Sequence, residues 1–224
     1  MWLPLESNPD MLNGFARKAG LQEPWEFVDV FGLDDELLCM VPQPCVAVTL
    51  LFPTAKIRPH REPQRKQIEA EGQLLSDKLF FVKQHDDLGN ACGTIAAVHA
   101  LANSGASIAG PLQDFIASQK GCTPSEVGYK LAEENTMKQA SEDSAQGGQT
   151  ETPEREAALG YHFVCFVPVD GHIYEMDGRK AFPINHGQTT EETFLLDAAR
   201  VVKEQFMAHD PENVNFNLMA LVKC

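Results

Sequence analysis

The chain is short of basic residues, paired cysteines and long apolar runs, and each shortage excludes something. Lysine and arginine number 18 against 32 aspartates and glutamates, a formal net charge of −14 over 224 residues. Nucleic acid and anionic membrane are therefore not expected partners, whereas a basic protein or peptide tail is. The six cysteines, Cys39, Cys45, Cys92, Cys122, Cys165 and Cys224, form no CxxC pair and no metal-ligand spacing with the seven histidines. Neither a disulfide framework nor a metal centre is expected, and no cofactor is called for. Scattered free thiols suit a reducing compartment, cytoplasmic or nuclear. The longest apolar run, Cys45 to Phe52, is far short of a membrane span. Met1 to Glu6 has neither the basic nor the apolar part of a secretory leader, so none is expected. With 43% hydrophobic and 22% charged residues, the composition is that of a soluble globular domain with room for a substantial core.

The elements follow from periodicity and punctuation. Asn8-Pro9 opens a helix with Met11, Leu12, Phe15 and Ala16 on one face, closed by Gly20. Leu21 to Phe31 reads as a connector, Leu33 to Met40 as a short helix, and Cys45 to Phe52 as a central strand. Lys56 to Arg65, basic and interrupted by proline, reads as a surface loop before a short polar helix ending near Glu71. Leu79 to Val82 reads as a buried strand, and a helix runs from Cys92 to about Asn103. A helix from Pro111 and a capping box at Thr123-Pro124-Ser125-Glu126 follow. From about Lys138 to Glu156 apolar residues nearly vanish, which predicts a long structureless segment, more suited to a lid than to a linker. Tyr161 to Val169 and His172 to Asp177 read as strands joined by an Asp170-Gly171 turn. A helix capped by Thr189 and Glu192, then a last strand from Phe216 to Val222, complete the chain.

Chemistry is expected where a cysteine opens a helix. Cys92 would sit among unpaired backbone N–H groups at the positive end of the helix dipole, which favours thiolate over thiol. Taken alone it is more simply a small buried packing residue. The hairpin adds what a nucleophile needs. If Asp170-Gly171 is a two-residue turn, paired positions sum to a constant and Asp177 faces Val164. That places it diagonally from His162 on the same face of the sheet, within reach of a carboxylate–imidazole hydrogen bond. A Cys92, His162, Asp177 set follows, with His162 as base and Asp177 as its orienter. His99 reads as a core or surface histidine, and His60, His85, His186 and His209 fall in polar loops or at helix ends. Gln84 is either a side-chain donor to an oxyanion beside the Cys92 N–H or a plain surface glutamine.

Gln84 with Asn90-Ala91-Cys92-Gly93-Thr94, Leu159-Gly160-Tyr161-His162-Phe163, Asp170 to Lys180 and Phe182 to Gly187 resemble the ubiquitin C-terminal hydrolase family. Trp2 to Pro9 and Val28 to Leu33 are similar to it as well, so the match runs from end to end, as in a short, catalytic-domain-only member. The resemblance implies an α/β fold of the α+β type, the papain-like cysteine peptidase fold, with a largely antiparallel sheet flanked by helices and a knotted backbone. It implies one domain over residues 1–224, taken as a monomer, with ubiquitin as substrate. Cys92 would be nucleophile, His162 base and acid, Asp177 orienter and Gln84 oxyanion donor. Residues 138–158 resemble a crossover loop that limits the size of the leaving group. Glu6, Asp10 and Asp29 match acidic positions that meet ubiquitin's basic tail, and Asn90, Gly147 and Gln149 are further candidate substrate contacts. One departure stands out: seven residues, His85 to Ala91, separate Gln84 from Cys92 where the family usually has five. Asp86 and Asp87 in that loop are expected to point outward. The competing readings are a ubiquitin-binding protein with little turnover and a hydrolase of another ubiquitin-like modifier.

Overall fold

In the computed structural model, which describes residues 1–148 and 159–224, a six-stranded sheet lies between two sets of helices. In chain order the elements are α1 (Pro9–Ala19), β1 (Trp25–Asp29), α2 (Asp35–Leu38), β2 (Cys45–Pro53), α3 (Thr54–Glu71) and α4 (Cys92–Asn103). There follow α5 (Pro111–Ser118), α6 (Pro124–Glu133), α7 (Asn135–Gln146), β3 (Tyr161–Val169), β4 (His172–Met176), β5 (Ile184–Gln188), α8 (Phe194–Gln205) and β6 (Asn217–Lys223). The strand order is β1-β6-β2-β3-β4-β5, and every neighbouring pair is antiparallel.

Both faces of the sheet are covered, which is why its central strands read as continuous apolar runs rather than alternating ones. On one face Phe163, Cys165, Val167 and Met176 pack with α1, α4, α5 and α6. On the other, Val164, Phe166, Leu50 and Ala220 pack with α8. The helix α4 is buried from Cys92 to Leu101, so it is apolar all round and lies at the centre of the first layer. Among the described residues no helix is long and apolar enough to cross a membrane.

Several local expectations are corrected. Leu21 to Phe31 is not only a connector, because Trp25–Asp29 is an edge strand paired with β6. Lys56 to Arg65 is not a loop but part of α3, with Pro59 and Pro63 inside the helix and exposed to solvent. Tertiary bonds hold it where propensity would not: Arg61 binds Glu175, and Lys56 binds Asp210 at 2.8 Å. Leu79 to Val82 is not a strand of the sheet and joins no ladder. Its backbone is satisfied by side chains instead, Phe80 by Asn103 at 2.8 Å and Val82 by His99 at 2.9 Å.

Lys138 to Gln146 is not structureless but the body of α7. Its buried face is Met137, Ala140, Ser141, Ser144 and Ala145, mostly small residues that hydropathy does not mark. They permit close approach to α1, where a Cβ on Gly14 would stand 3.3 Å from Ser144 Oγ. The remainder of the 138–158 segment, from 149, lies outside the described residues. The last long helix starts at Phe194 rather than Thr189, whose hydroxyl instead binds Asp197 at 2.8 Å. Ile184–Gln188 adds an edge strand, and with it His186 lies in a strand and His60 in α3 rather than in loops. The helix at Pro9 with its Asn8 cap and the Thr123/Glu126 capping box stand as expected.

Candidate active site

Cys92 is the first residue of α4. The capping position is Ala91, which has no side-chain acceptor, so the first-turn amides are left for other partners. The loop before it absorbs its extra residues as a single 3₁₀ turn, Asp86–Leu88, closed by Gly89 at φ 61°. Leu88 is buried and its carbonyl accepts from the Trp2 N–H at 2.9 Å, while Asp86 and Asp87 are exposed as expected. Gly89 is required twice over: its φ is positive, and a Cβ there would stand 2.8 Å from that of Met1.

The same loop reaches back to Gln84. The Gln84 Nε2 donates to the Gly89 carbonyl at 2.8 Å, and its backbone N–H donates to the Gly178 carbonyl at 2.7 Å. Gln84 is thus held between the loop leading to Cys92 and the residue after Asp177. Its Oε1 is buried without a partner.

The hairpin register is the one the turn dictates, from Val169↔His172 to Cys165↔Met176 without a bulge. Continued one step, it brings His162 and Asp177 together, with Nε2 2.6 Å from Oδ1. That oxygen also accepts the Arg179 N–H at 3.0 Å, and the Phe52 ring meets the imidazole edge-on at 5.8 Å. His162 is 1% exposed and Asp177 5%. The other imidazole nitrogen, Nδ1, is buried and makes no closed hydrogen bond. It is the imidazole nitrogen that Asp177 does not engage.

Electrostatics couples the three. Burial raises the Cys92 pKa, and the His162 side chain, the Phe163 backbone and the Arg179 charge together bring it below that of an ordinary thiol. Burial alone would lower His162, but the Asp177 carboxylate and Cys92 raise it to about 9. Burial would raise Asp177, and the His162 charge and hydrogen bond, aided by Lys180, hold it at about 2. The coupling shifts Cys92 toward thiolate and His162 toward imidazolium, and it keeps Asp177 ionised. Cys45 shows the alternative, since burial with little compensation pushes that thiol up to about 12.

Cys92 opens onto a cleft of about 270 Å³ walled by Leu5, Leu51, Tyr161 and Phe163. The cleft is narrow: a Cβ on Gly93 would stand 3.2 Å from both the Leu5 Cβ and the Phe163 ring. Of the candidate substrate contacts, Glu6 and Asn90 line this cleft with Cys92. Asp10 is exposed in the first turn of α1, and Asp29 ends β1; neither lines it. Gly147 caps α7 and does not line it either, and Gln149 lies outside the described residues.

The sequence reading left His99 as either a core or a surface histidine and did not single out Glu175. His99 is fully buried on α4; its Nε2 accepts the Val82 N–H, and burial lowers its pKa to about 4. Glu175, on β4 two residues before Asp177, is fully buried and bound by Arg61 at 2.9 Å, Lys180 at 3.2 Å and His186 at 2.9 Å. The available signal was a carboxylate in mid-strand between apolar neighbours, which burial forbids without a cation. Among the described residues no group of three or more His, Cys, Asp or Glu is placed to hold a metal ion.

The comparisons agree with this chemistry. A family model described as ubiquitin carboxyl-terminal hydrolase, family 1, matches residues 2–208. A probable ubiquitin carboxyl-terminal hydrolase of Dictyostelium discoideum is 43% identical over 99% of this chain and 88% of its own. A ubiquitin carboxyl-terminal hydrolase of Aplysia californica is 45% identical over 94% and 97%, and human isozyme L1 is 42% identical over 98% and 97%. Among solved structures, the catalytic domain of Trichinella spiralis UCH37 bound to ubiquitin vinyl methyl ester superposes with a TM-score of 0.77 at 21% identity. That match covers 100% of this chain and 96% of that one.

Proposed function

The chain belongs to ubiquitin carboxyl-terminal hydrolase family 1, and from that premise we propose that it hydrolyses the bond that follows the C-terminal glycine of ubiquitin. Peptide, isopeptide, ester and thioester bonds all present the same acyl group, and small adducts or short peptides would be released. In this reading its motifs also resemble those of isozyme L3. The observation that carries the reading is the Cys92, His162 and Asp177 arrangement at the end of a narrow cleft.

In this reading the Cys92 thiolate attacks the glycine carbonyl and forms a thioester, and the His162 imidazolium gives its Nδ1 proton to the departing group. His162, now neutral, takes a proton from water, which attacks the thioester and restores the thiolate. Asp177 keeps the proton on Nε2 and the ring in place throughout. The developing oxyanion meets the positive first turn of α4, with the Cys92 N–H as one donor and the Gln84 Nε2 as the second. That amide has two hydrogens and spends one on Gly89, so the longer loop leaves it a free donor.

Glu6 at the cleft, with Asp10 and Asp29 beyond it, supplies the negative charge that a basic tail would meet. Leu51, Tyr161 and Phe163 accept only a thin apolar or glycine-rich chain. Ala145 and Leu159 both line the cleft; the size limit on the leaving group that a crossover loop over residues 138–158 would impose concerns a segment partly outside the described residues. The reading is tested with ubiquitin bearing a C-terminal fluorogenic amide. Wild type should turn it over, and Cys92→Ala should abolish turnover while still binding ubiquitin. Unchanged hydrolysis by Cys92→Ala would sink the proposal.

A further inference from the structure

Beside Asp177 a second cleft of about 240 Å³, sharing no lining residue with the thiol's cleft, lies between α3 and the turn after β4. Five of the chain's 18 cations line it: Arg58, Arg61, Arg65, Arg179 and Lys180. Only Glu62 and Asp177 oppose them on the wall, and Glu175 lies buried behind, bound to Arg61 and Lys180. Five cations against three carboxylates leave a local excess of two positive charges, in a protein whose net charge is −14.

The internal partners do not use up these cations. Arg61 is 5% exposed and spends both terminal nitrogens on Glu175, yet its Nε is buried with no hydrogen-bond partner. Arg65 is bound to Glu62 at 2.5 Å, and its Nε is likewise buried and unpartnered. Neither of these guanidinium N–H groups has a protein acceptor, so both can be answered by the oxygens of a ligand. Arg58 and Arg179 have no ion pair among the described residues, so they are available as well. Guanidinium forks match the oxygens of carboxylate and phosphate better than any spherical anion.

We propose that this cleft is an oxyanion-binding subsite, taking a carboxylate or phosphate group beside the His162–Asp177 pair. It deepens the hydrolase reading, because Arg179 and Asp177 belong to both the cleft and the reacting centre's surroundings. The ligand is either an acidic side chain of the leaving group or a free oxyanion of the medium.

Inorganic phosphate, titrated by calorimetry against chloride at matched ionic strength, reads the subsite without reference to hydrolysis. Wild type should show saturable one-site binding, weakened about tenfold or more in Arg58→Gln/Arg65→Gln. The control Lys66→Gln/Lys120→Gln removes the same charge from exposed positions off the cleft and should bind as wild type does. Phosphate heats no different from chloride, or equal affinity in the two arginine forms, would overturn the subsite. The source is read from ubiquitin–peptide fusions with Asp or Asn directly after the terminal glycine. A several-fold preference for Asp that the arginine double variant loses identifies the leaving group, and equal rates identify a free oxyanion. Turnover of the fluorogenic ubiquitin amide by the same samples keeps the two ideas apart. Phosphate binding without turnover defeats only the hydrolase reading, and turnover without phosphate binding defeats only the subsite.

Discussion

His162 and His99 are both almost fully buried, yet their pKa values move in opposite directions. His162, at the start of β3, faces the Asp177 carboxylate at 2.6 Å and has its pKa raised to about 9. His99, in the middle of α4, faces backbone groups and the Phe81 ring, stacked at 5.1 Å, and burial brings it down to about 4. The difference is one carboxylate in contact. Desolvation is the common cost, and only a partner charge of opposite sign reverses it. The same imidazole is therefore a proton donor in one region and a neutral acceptor, tying the Val82 N–H to the helix that begins at Cys92, in the other.

The comparison breaks most severely if the carboxylate is removed. Asp177→Asn should make His162 behave more like His99, and kcat/KM on the ubiquitin amide should fall by roughly 10²- to 10⁴-fold. Steady-state kinetics on folded protein would measure it.

The two histidines also predict opposite pH limbs of stability. His162 has a folded pKa above its unfolded value, so its contribution is complete below about pH 6.5 and is lost as pH rises through about 9. His99 has a folded pKa below its unfolded value. The unfolded chain then binds the extra proton, and stability falls as pH drops from about 6.5 to about 4, by about 3 kcal/mol. Denaturant titrations across pH should lose the acid limb in His99→Phe and the alkaline limb in His162→Ala.

A smaller effect follows from the bond His99 makes. His99→Phe keeps the ring against Phe81 but leaves the Val82 N–H buried and unpaired. Stability at pH 7 should drop by about 1–3 kcal/mol, with the alkaline limb unchanged. Smallest of all is the inserted turn. Asp86 and Asp87 are exposed, so Asp86→Asn/Asp87→Asn should change kcat/KM by less than about twofold, because solvent screens them.

How much of this was legible in the sequence depended on whether the cause was local. The hairpin register follows from two residues, Asp170-Gly171, and with it the meeting of His162 and Asp177. The Asn8 and Thr123 caps are equally local. By contrast α7 is held by small residues against Gly14, and α3 survives two prolines because Arg61 and Lys56 bind Glu175 and Asp210 from distant parts of the chain. Leu79 to Val82 has the composition of a strand, and only the positions of Asn103 and His99 reveal that side chains take the place of a ladder. The site was readable because its geometry rests on a turn and a helix start. The buried Glu175 cluster was not, because one of its cations lies more than a hundred residues away.

The central claim is that Cys92 and His162 stand as thiolate and imidazolium in the free protein. The rate of Cys92 alkylation by iodoacetamide against pH tests it most directly, with Cys92→Ala defining the background from the other thiols. The account predicts a thiolate limb that is half-complete clearly below the ordinary thiol value of about 8.5, moving upward in His162→Ala. A limb centred at or above that value in wild type, unmoved by His162→Ala, would contradict it.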